Sequence, residues 1–238
     1  MPIKAILFDM FDTLMLIEKN HAFYSPSLKR AHRFLVKSGV NIKFRVFRDA
    51  YIKARDALYV AADAKLEEPH FNCRISTALE RLGYVDVESK VVAGATNEFC
   101  EGFMEYVRID DHAKNTLETL SRKYKLGIVS NFAIPECVDK LLRKHDLHKF
   151  FDVVIVSGAV NKRKPHPEIF QTALEKLDVS AQDTVFVGDT VDADVVGPKS
   201  TGMKSIFIER RVQKDAEQAC PNQTIKSLSN LLEAIENC

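Results

Sequence analysis

A chain of 238 residues exceeds one average domain and falls short of two full ones, which favours a core domain carrying an insertion over a tandem pair. Hydrophobic residues make up 46% and charged residues 28%, a globular composition with enough apolar surface for a sizeable core rather than a disordered chain. The formal net charge is +1 and Lys and Arg are spread along the whole length, so no charged block is aimed at nucleic acid, a membrane surface or a polyanionic partner.

The first element is the apolar run Ile3 to Phe8, which stops at Asp9. It is too short for the core of a signal peptide, and no stretch approaches membrane-spanning length, so a soluble cytoplasmic protein is expected. From about Ile17 to Tyr106 the patterning is helical and contains no convincing strand. Phe44, Phe47, Tyr51, Ala54, Leu58 and Ala61 step by three and four along one stripe, and Val87, Val91, Ala95, Phe99 and Phe103 step by fours. Gly39 and Gly83 follow apolar periodic segments where helix C-caps belong.

Beyond this stretch the short apolar runs return, at Leu126 to Val129, Val153 to Val156, Val185 to Val187 and Ile206 to Ile208. Each ends at small, polar or acidic residues without alternating faces, as buried parallel strands do. Helical patterns at Cys137 to Lys144 and Pro167 to Leu177 lie between them, the second opening with a proline in its first turn. Strand and helix in alternation predict an α/β protein with a doubly wound parallel sheet. The core is expected over residues 1–16 and 107–238, with an inserted all-helical unit over 17–106. Leu16 to Asn20 and Tyr106 to Asp110, the two crossings between them, are the hinge candidates. The five cysteines are odd in number and form no CxxC pair, and none of the seven histidines, His166, His145 and His148 included, shows zinc spacing. Reduced thiols and structural or solvent-facing histidines are expected.

Ligands of doubly wound sheets bind beyond the carboxyl ends of the strands, so the residues ending each strand form a set. Here they are Asp9-Met10-Phe11-Asp12-Thr13, Ser130-Asn131, Lys164-Pro165, and Gly188-Asp189 with Asp194. Alone, each is an ordinary turn or cap; together they suit transfer of a phosphoryl or similar electrophilic group. Asp9 is the candidate covalent nucleophile. Asp189, and less directly Asp194, can join Asp9 in holding one Mg²⁺, a hard cation that takes carboxylates, waters and substrate oxygens. Ser130 and Asn131 are candidate donors to substrate oxygens, and Lys164 adds positive charge for the transition state.

These residues resemble the four signature motifs of the haloacid dehalogenase (HAD) superfamily over nearly the whole chain. Ile6-Leu7-Phe8-Asp9 through Leu14 resembles the first motif, Ile128-Val129-Ser130-Asn131 the second, and Lys164 to Phe170 the third. Val187-Gly188-Asp189 with Asp194, Gly197 and Thr201-Gly202-Met203 resembles the fourth. The helical insertion is similar to the C1 cap of that superfamily. The resemblance implies a Rossmann-like core, an aspartyl covalent intermediate, a cap closing over a small-molecule substrate, and Mg²⁺ held partly by the backbone carbonyl of Phe11.

One position departs from the phosphatases of the superfamily, which read Asp-x-Asp at the first motif and use the second Asp as acid and base. Phe11 stands there and has no proton to give, so phosphate esters with poor leaving groups should be hydrolysed weakly. An aromatic residue at that place resembles the metal-independent 2-haloacid dehalogenases, whereas Asp189 retains a metal ligand that those enzymes generally replace. A Mg²⁺-dependent phosphatase on small phosphorylated compounds is the favoured reading, with haloacid dehalogenation and a catalytically weakened binding protein as alternatives. Asp12 is expected to serve its turn, and Arg45, Arg48 and Arg55 a solvated helix face. The chain is expected to be a monomer or homodimer.

Overall fold

The structure of the protein is a computed structural model that describes residues 2–18, 22–211 and 219–238. In chain order its elements are β1 (Ala5–Phe8), β2 (Met15–Ile17), α1 (Tyr24–Lys37), α2 (Phe44–Asp63), α3 (Phe71–Glu80), α4 (Ser89–Met104) and β3 (Val107–Ile109). There follow α5 (Ala113–Leu120), β4 (Lys125–Ser130), α6 (Pro135–Lys144), β5 (Val153–Val156), α7 (Ser157–Val160) and α8 (Pro167–Leu177). The chain closes with β6 (Thr184–Gly188), α9 (Gly197–Ser200), β7 (Lys204–Ile208), β8 (Gln223–Ile225) and α10 (Leu231–Glu236).

Six strands form one parallel sheet in the order β5-β4-β1-β6-β7-β8, with β1 central. Its residues show why continuous apolar runs were needed. Ile6 and Phe8 face a layer containing Leu117 of α5, Val138 and Leu141 of α6, and Leu231 of α10. Ala5 and Leu7 face the other way, against Ile169, Phe170, Ala173 and Leu177 of α8. A strand covered on both sides has no polar face, and helices on both sides make the sheet doubly wound, Rossmann-like, as the sequence predicts.

The five expected strands are all present, with ends shifted by a residue or two; β1 begins at Ala5 rather than Ile3. The edge strand β8 was not foreseen. A second difference lies at the crossings into the insertion, where β2 and β3 pair antiparallel, Met15 opposite Ile109 and Ile17 opposite Val107. Both hinge candidates overlap this two-stranded ribbon; Lys19 and Asn20 of the first lie outside the described residues.

Between β2 and β3 the described elements are all helical, and α1 packs along α4. Gly102 lets their backbones come close, since a Cβ there would stand 2.9 Å from Ser27 Cα. The α2 stripe is buried at Phe47, Tyr51 and Ala54, but Ala61 is exposed and Ala62 takes the buried place. Whole-number steps drift against a turn of 3.6 residues, and the drift reaches one residue by the last turn. Gly39 and Gly83 end α1 and α3 with φ of +95° and +85°, the left-handed cap conformation that glycine adopts without penalty. Cys73, Cys100, Cys137 and Cys238 carry free thiols. No helix among the described residues is long and apolar enough to cross a membrane.

Candidate active site

The sheet order puts the functional strand ends side by side: β4 and β6 flank β1, so Ser130-Asn131 and Gly188-Asp189 flank Asp9. The Asp9 backbone N–H still donates to Val187 O at 2.8 Å, which carries the carboxylate just past the sheet's edge. Lys164 enters from the loop between α7 and α8, and Asp194 from a π-helical turn at Val191–Val196. Asp9, Asp189, Asp194 and Lys164 are all buried, and they line a cavity of about 180 Å³ with Phe11, Asp12, Asn131, Thr190 and Arg211.

Lys164 Nζ donates to Asp9 Oδ1 at 2.8 Å and to Asp194 Oδ1 at 2.6 Å. Burial works against its ammonium, yet the two carboxylates outweigh burial and hold its pKa above the ordinary lysine range. Asp194 spends its other oxygen on the Thr190 N–H at 2.9 Å. A Cβ on Gly188 would stand 2.4 Å from Asp194 Cγ, so this carboxylate occupies the space that only glycine leaves.

Oxygens of Asp9, Asp189 and Asp194 lie within 4.8 Å of one another. Burial is the chief reason that the pKa of Asp9 is pushed up to about 7; Lys164 opposes the rise, and Asp194 and Asp189 add to it. Asp189 is pushed up to about 6, again chiefly by burial, with Asp194 adding and Arg211 opposing. Three hard oxygen donors and a surplus of buried negative charge fit a divalent cation of the magnesium type.

The loop from Asp9 to Met15 is closed by its own backbone, with Leu14 and Met15 both donating to Met10 O at 2.9 Å. Asp12 sits at φ +56°, and its Oδ1 accepts the Ile17 N–H at 3.1 Å, so the expected turn role holds for that oxygen. Phe11 turns its ring into an aromatic cluster, 4.8 Å from Phe132 and 5.4 Å from Phe103 between ring centroids.

Two site candidates stand differently from their sequence reading. Ser130 is the last residue of β4 and still inside the sheet; it is fully buried, and its hydroxyl has no hydrogen-bond partner among the described residues. Asn131 lines the cavity, but both ends of its amide are taken by the backbone of Lys164, Nδ2 donating to its O at 2.9 Å and Oδ1 accepting from its N–H at 2.7 Å. Its side chain therefore holds the lysine in place instead of offering a donor to a ligand.

Two arginines after β7 were missed. Arg210 donates to Asp12 O at 3.1 Å, Thr13 O at 2.9 Å and Asp110 Oδ2 at 2.7 Å, stapling the Asp9 loop to the start of α5. Arg211 donates to Asp189 Oδ2 at 3.1 Å. Of the arginines weighed from the sequence, Arg48 and Arg55 bond their neighbours Asp49 and Asp56, and Arg45 is exposed. His166 is half-buried and caps α8, its Nδ1 accepting the Glu168 N–H.

The haloacid dehalogenase-like hydrolase family model matches residues 50–208, well over half of the chain. The chain is a haloacid dehalogenase-like hydrolase. A hydrolase of this family that is similar along its whole length is the glyceraldehyde 3-phosphate phosphatase of Methanocaldococcus jannaschii, 28% identical over 240 residues covering 99% of this chain and 98% of that one. Among solved structures, the HAD phosphatase from Thermococcus onnurineus matches with a TM-score of 0.67 at 25% identity, 99% of each chain being covered. A 2-haloacid dehalogenase from Pseudomonas syringae matches with a TM-score of 0.75 at 20% identity over 98% of each chain, a likeness of fold.

Proposed function

We propose that this hydrolase is a Mg²⁺-dependent phosphatase of small phosphorylated compounds that uses Asp9 as its nucleophile. The observation that carries the reading is the buried cluster in which Asp9, Asp189 and Asp194 oxygens converge within 4.8 Å, with Lys164 Nζ bonded to two of the three carboxylates. The full-length similarity to a glyceraldehyde 3-phosphate phosphatase points the same way. Asp9, Asp189 and the Phe11 backbone carbonyl would hold the cation directly. Asp194, both of whose oxygens are already hydrogen-bonded, would reach it through water. The cation would screen Asp9 from an anionic substrate and favour its ionised form.

The reaction then follows from this chain's own groups. Lys164 holds Asp9 Oδ1, which leaves Oδ2 to form the bond to phosphorus as the ester oxygen departs with the electron pair of the broken P–O bond. Phe11 supplies no proton, so the departing alkoxide takes one from solvent, and leaving groups that are stable as anions go fastest. Water next attacks phosphorus, the Asp9 Oδ2–P bond breaks, and inorganic phosphate and free carboxylate result. Lys164 stabilises charge on the phosphoryl oxygens. Asn131 serves them indirectly by holding Lys164, and the Ser130 hydroxyl, fully buried within β4, is off the cavity wall. In this reading residues 17–106 are the cap over a core of 1–16 and 107–238, and the protein works in the cytoplasm.

Phe11 favours a second reading, hydrolysis of 2-haloacids. Asp189 opposes it, because a buried carboxylate beside Asp9 repels an anionic haloacid unless a cation lies between. The test is acid-quenched turnover of an aryl phosphate followed by peptide mass spectrometry. A phosphoryl group on the peptide carrying Asp9, absent from Asp9→Asn, is expected. Halide release from 2-chloropropionate with no phosphate release from any ester would overturn the reading.

A further inference from the structure

A second cavity, of about 140 Å³, adjoins the one around Asp9 and shares Asn131 with it. Phe132 lines this second cavity and Phe11 the first, and their rings pack together with centroids 4.8 Å apart, so this aromatic pair stands at the boundary between the two compartments. At ~30 Å³ per water, the second holds a group of roughly five water-sized units. Its walls come largely from the helical insertion and are mostly aromatic, including Phe71 and Phe99.

Set into those walls is a buried ion pair. Arg74 on α3 donates through Nη2 to Glu68 Oε1 at 2.9 Å and to Tyr59 Oη at 3.3 Å. The guanidinium also lies over the rings of Tyr59 and Phe71, 5.0 and 5.4 Å from their centroids. Both charged residues are over nine-tenths buried and both line the cavity. The nearby Arg163, whose charge reaches Glu68, is itself paired with Asp63, so it is not an unpaired cation beside the cavity. A buried ion pair is seldom a net source of stability, and apolar residues of equal volume commonly do as well. What the pair does provide is a wall holding a forked donor and an acceptor at zero net charge.

We propose that this cavity receives the leaving-group end of the substrate, and that Glu68 and Arg74 make it selective for compact, uncharged groups bearing hydroxyl or carbonyl oxygens over carboxylated ones. Arg74 donates to a hydroxyl or carbonyl oxygen, and Glu68 accepts from a hydroxyl. A carboxylate entering the same space would lose its water and meet Glu68 with no spare positive charge in compensation. This selectivity rests on the reading of Asp9 as the phosphoryl acceptor.

The test compares kcat/KM for glycerol 3-phosphate and for 2-phosphoglycolate in the full-length protein with Mg²⁺. Both are primary alkyl esters that differ in distal hydroxyls and distal charge, and the change of their ratio on mutation isolates the charge at residue 68. The wild type is expected to prefer glycerol 3-phosphate. Glu68→Gln, which leaves Arg74 uncompensated, should shift the ratio tenfold or more toward 2-phosphoglycolate; a ratio within twofold of wild type overturns the inference. Acetyl phosphate reports on the chemistry separately. If the wild type releases no phosphate from it, the phosphatase reading itself falls; turnover with an unmoved ratio removes the selectivity alone. Breaking one side of a buried pair can unfold a protein, so thermal unfolding is recorded for each variant. Glu68→Gln/Arg74→Met strands no charge and supplies a second readout. KM for glycerol 3-phosphate should rise at least tenfold relative to KM for acetyl phosphate, and an unmoved KM ratio overturns the inference.

Discussion

Replacing Phe11 by Asp tests the missing acid most sharply. The ring is half-buried and makes centroid contacts of 4.8 Å with Phe132 and 5.4 Å with Phe103. Removing a fully buried Phe costs ~3–5 kcal/mol, so the partial burial here puts the loss at about 2 kcal/mol, a fall of several degrees in Tm. The new carboxyl would join a pocket already lined by Asp9, Asp189 and Asp194, where burial and like charge push a carboxyl pKa upward. A raised pKa is what a general acid at neutral pH requires. Such catalysis is worth ~10²–10⁴-fold where geometry is ideal, and an unrefined replacement should recover about tenfold or more in kcat on an alkyl phosphate such as glycerol 3-phosphate. A p-nitrophenyl ester, whose anion leaves unaided, should gain far less. The assay is steady-state phosphate release from both esters beside a melting curve. A folded variant with no gain on the alkyl ester would refute the reasoning, since another group would then already be supplying the proton.

Three further outcomes follow from the geometry. Lys164→Met removes the ammonium bonded to Asp9 and Asp194, and kcat on an aryl phosphate should fall ~10²–10³-fold; a fall of less than about fivefold would take Lys164 out of the reaction. Gly188→Ala forces a Cβ to within 2.4 Å of Asp194 Cγ, so the variant should lose most activity and some Mg²⁺ affinity, read by kinetics across a Mg²⁺ titration. Unchanged kinetics would show that the Asp194 position is immaterial. The third outcome concerns pH. Asp9 and Asp189 have folded pKa values of about 7 and about 6, raised chiefly by burial. Between roughly pH 4 and pH 7 the folded metal-free protein therefore keeps protons that the unfolded chain has released, and its stability falls as pH rises through that window. A cation binding the ionised carboxylates must displace those protons at low pH. The increase in Tm on adding Mg²⁺ should accordingly be larger at pH 8 than at pH 5; an equal or reversed increase would contradict a metal cluster.

The parts of the fold that could be read from sequence were those written in long, unambiguous runs. Ile6-Leu7-Phe8 and Val153-Val154-Ile155 are apolar on both faces because α5, α6, α8 and α10 cover both sides of the sheet. β8 is a short edge strand with a half-buried Gln223 and an exposed Thr224, so only Ile225 carries a burial signal. β2 and β3 are three residues each, and their pairing depends on two segments about 90 residues apart meeting. In the site, acidic and lysine residues at strand ends were legible because sheet topology alone brings strand ends together. Arg210 and Arg211 carried no such signal; only the fold distinguishes them from surface cations. Arg74 was not weighed as Arg45, Arg48 and Arg55 were, although it is the buried one; its place three residues after Phe71 and four before Ala78, on the buried face of α3, was the signal. The loss of Asn131 as a free donor is likewise tertiary, since its amide finds its partners 33 residues away.

The most direct test of the central claim, a cation-dependent phosphoryl transfer centred on Asp9, is the metal dependence of turnover on p-nitrophenyl phosphate, run beside 2-chloropropionate. The arrangement of Asp9, Asp189, Asp194 and Lys164 calls for phosphate release that EDTA abolishes and Mg²⁺ restores, with no halide release in either condition. Phosphate release that persists in EDTA, or halide release that ignores it, would contradict the account.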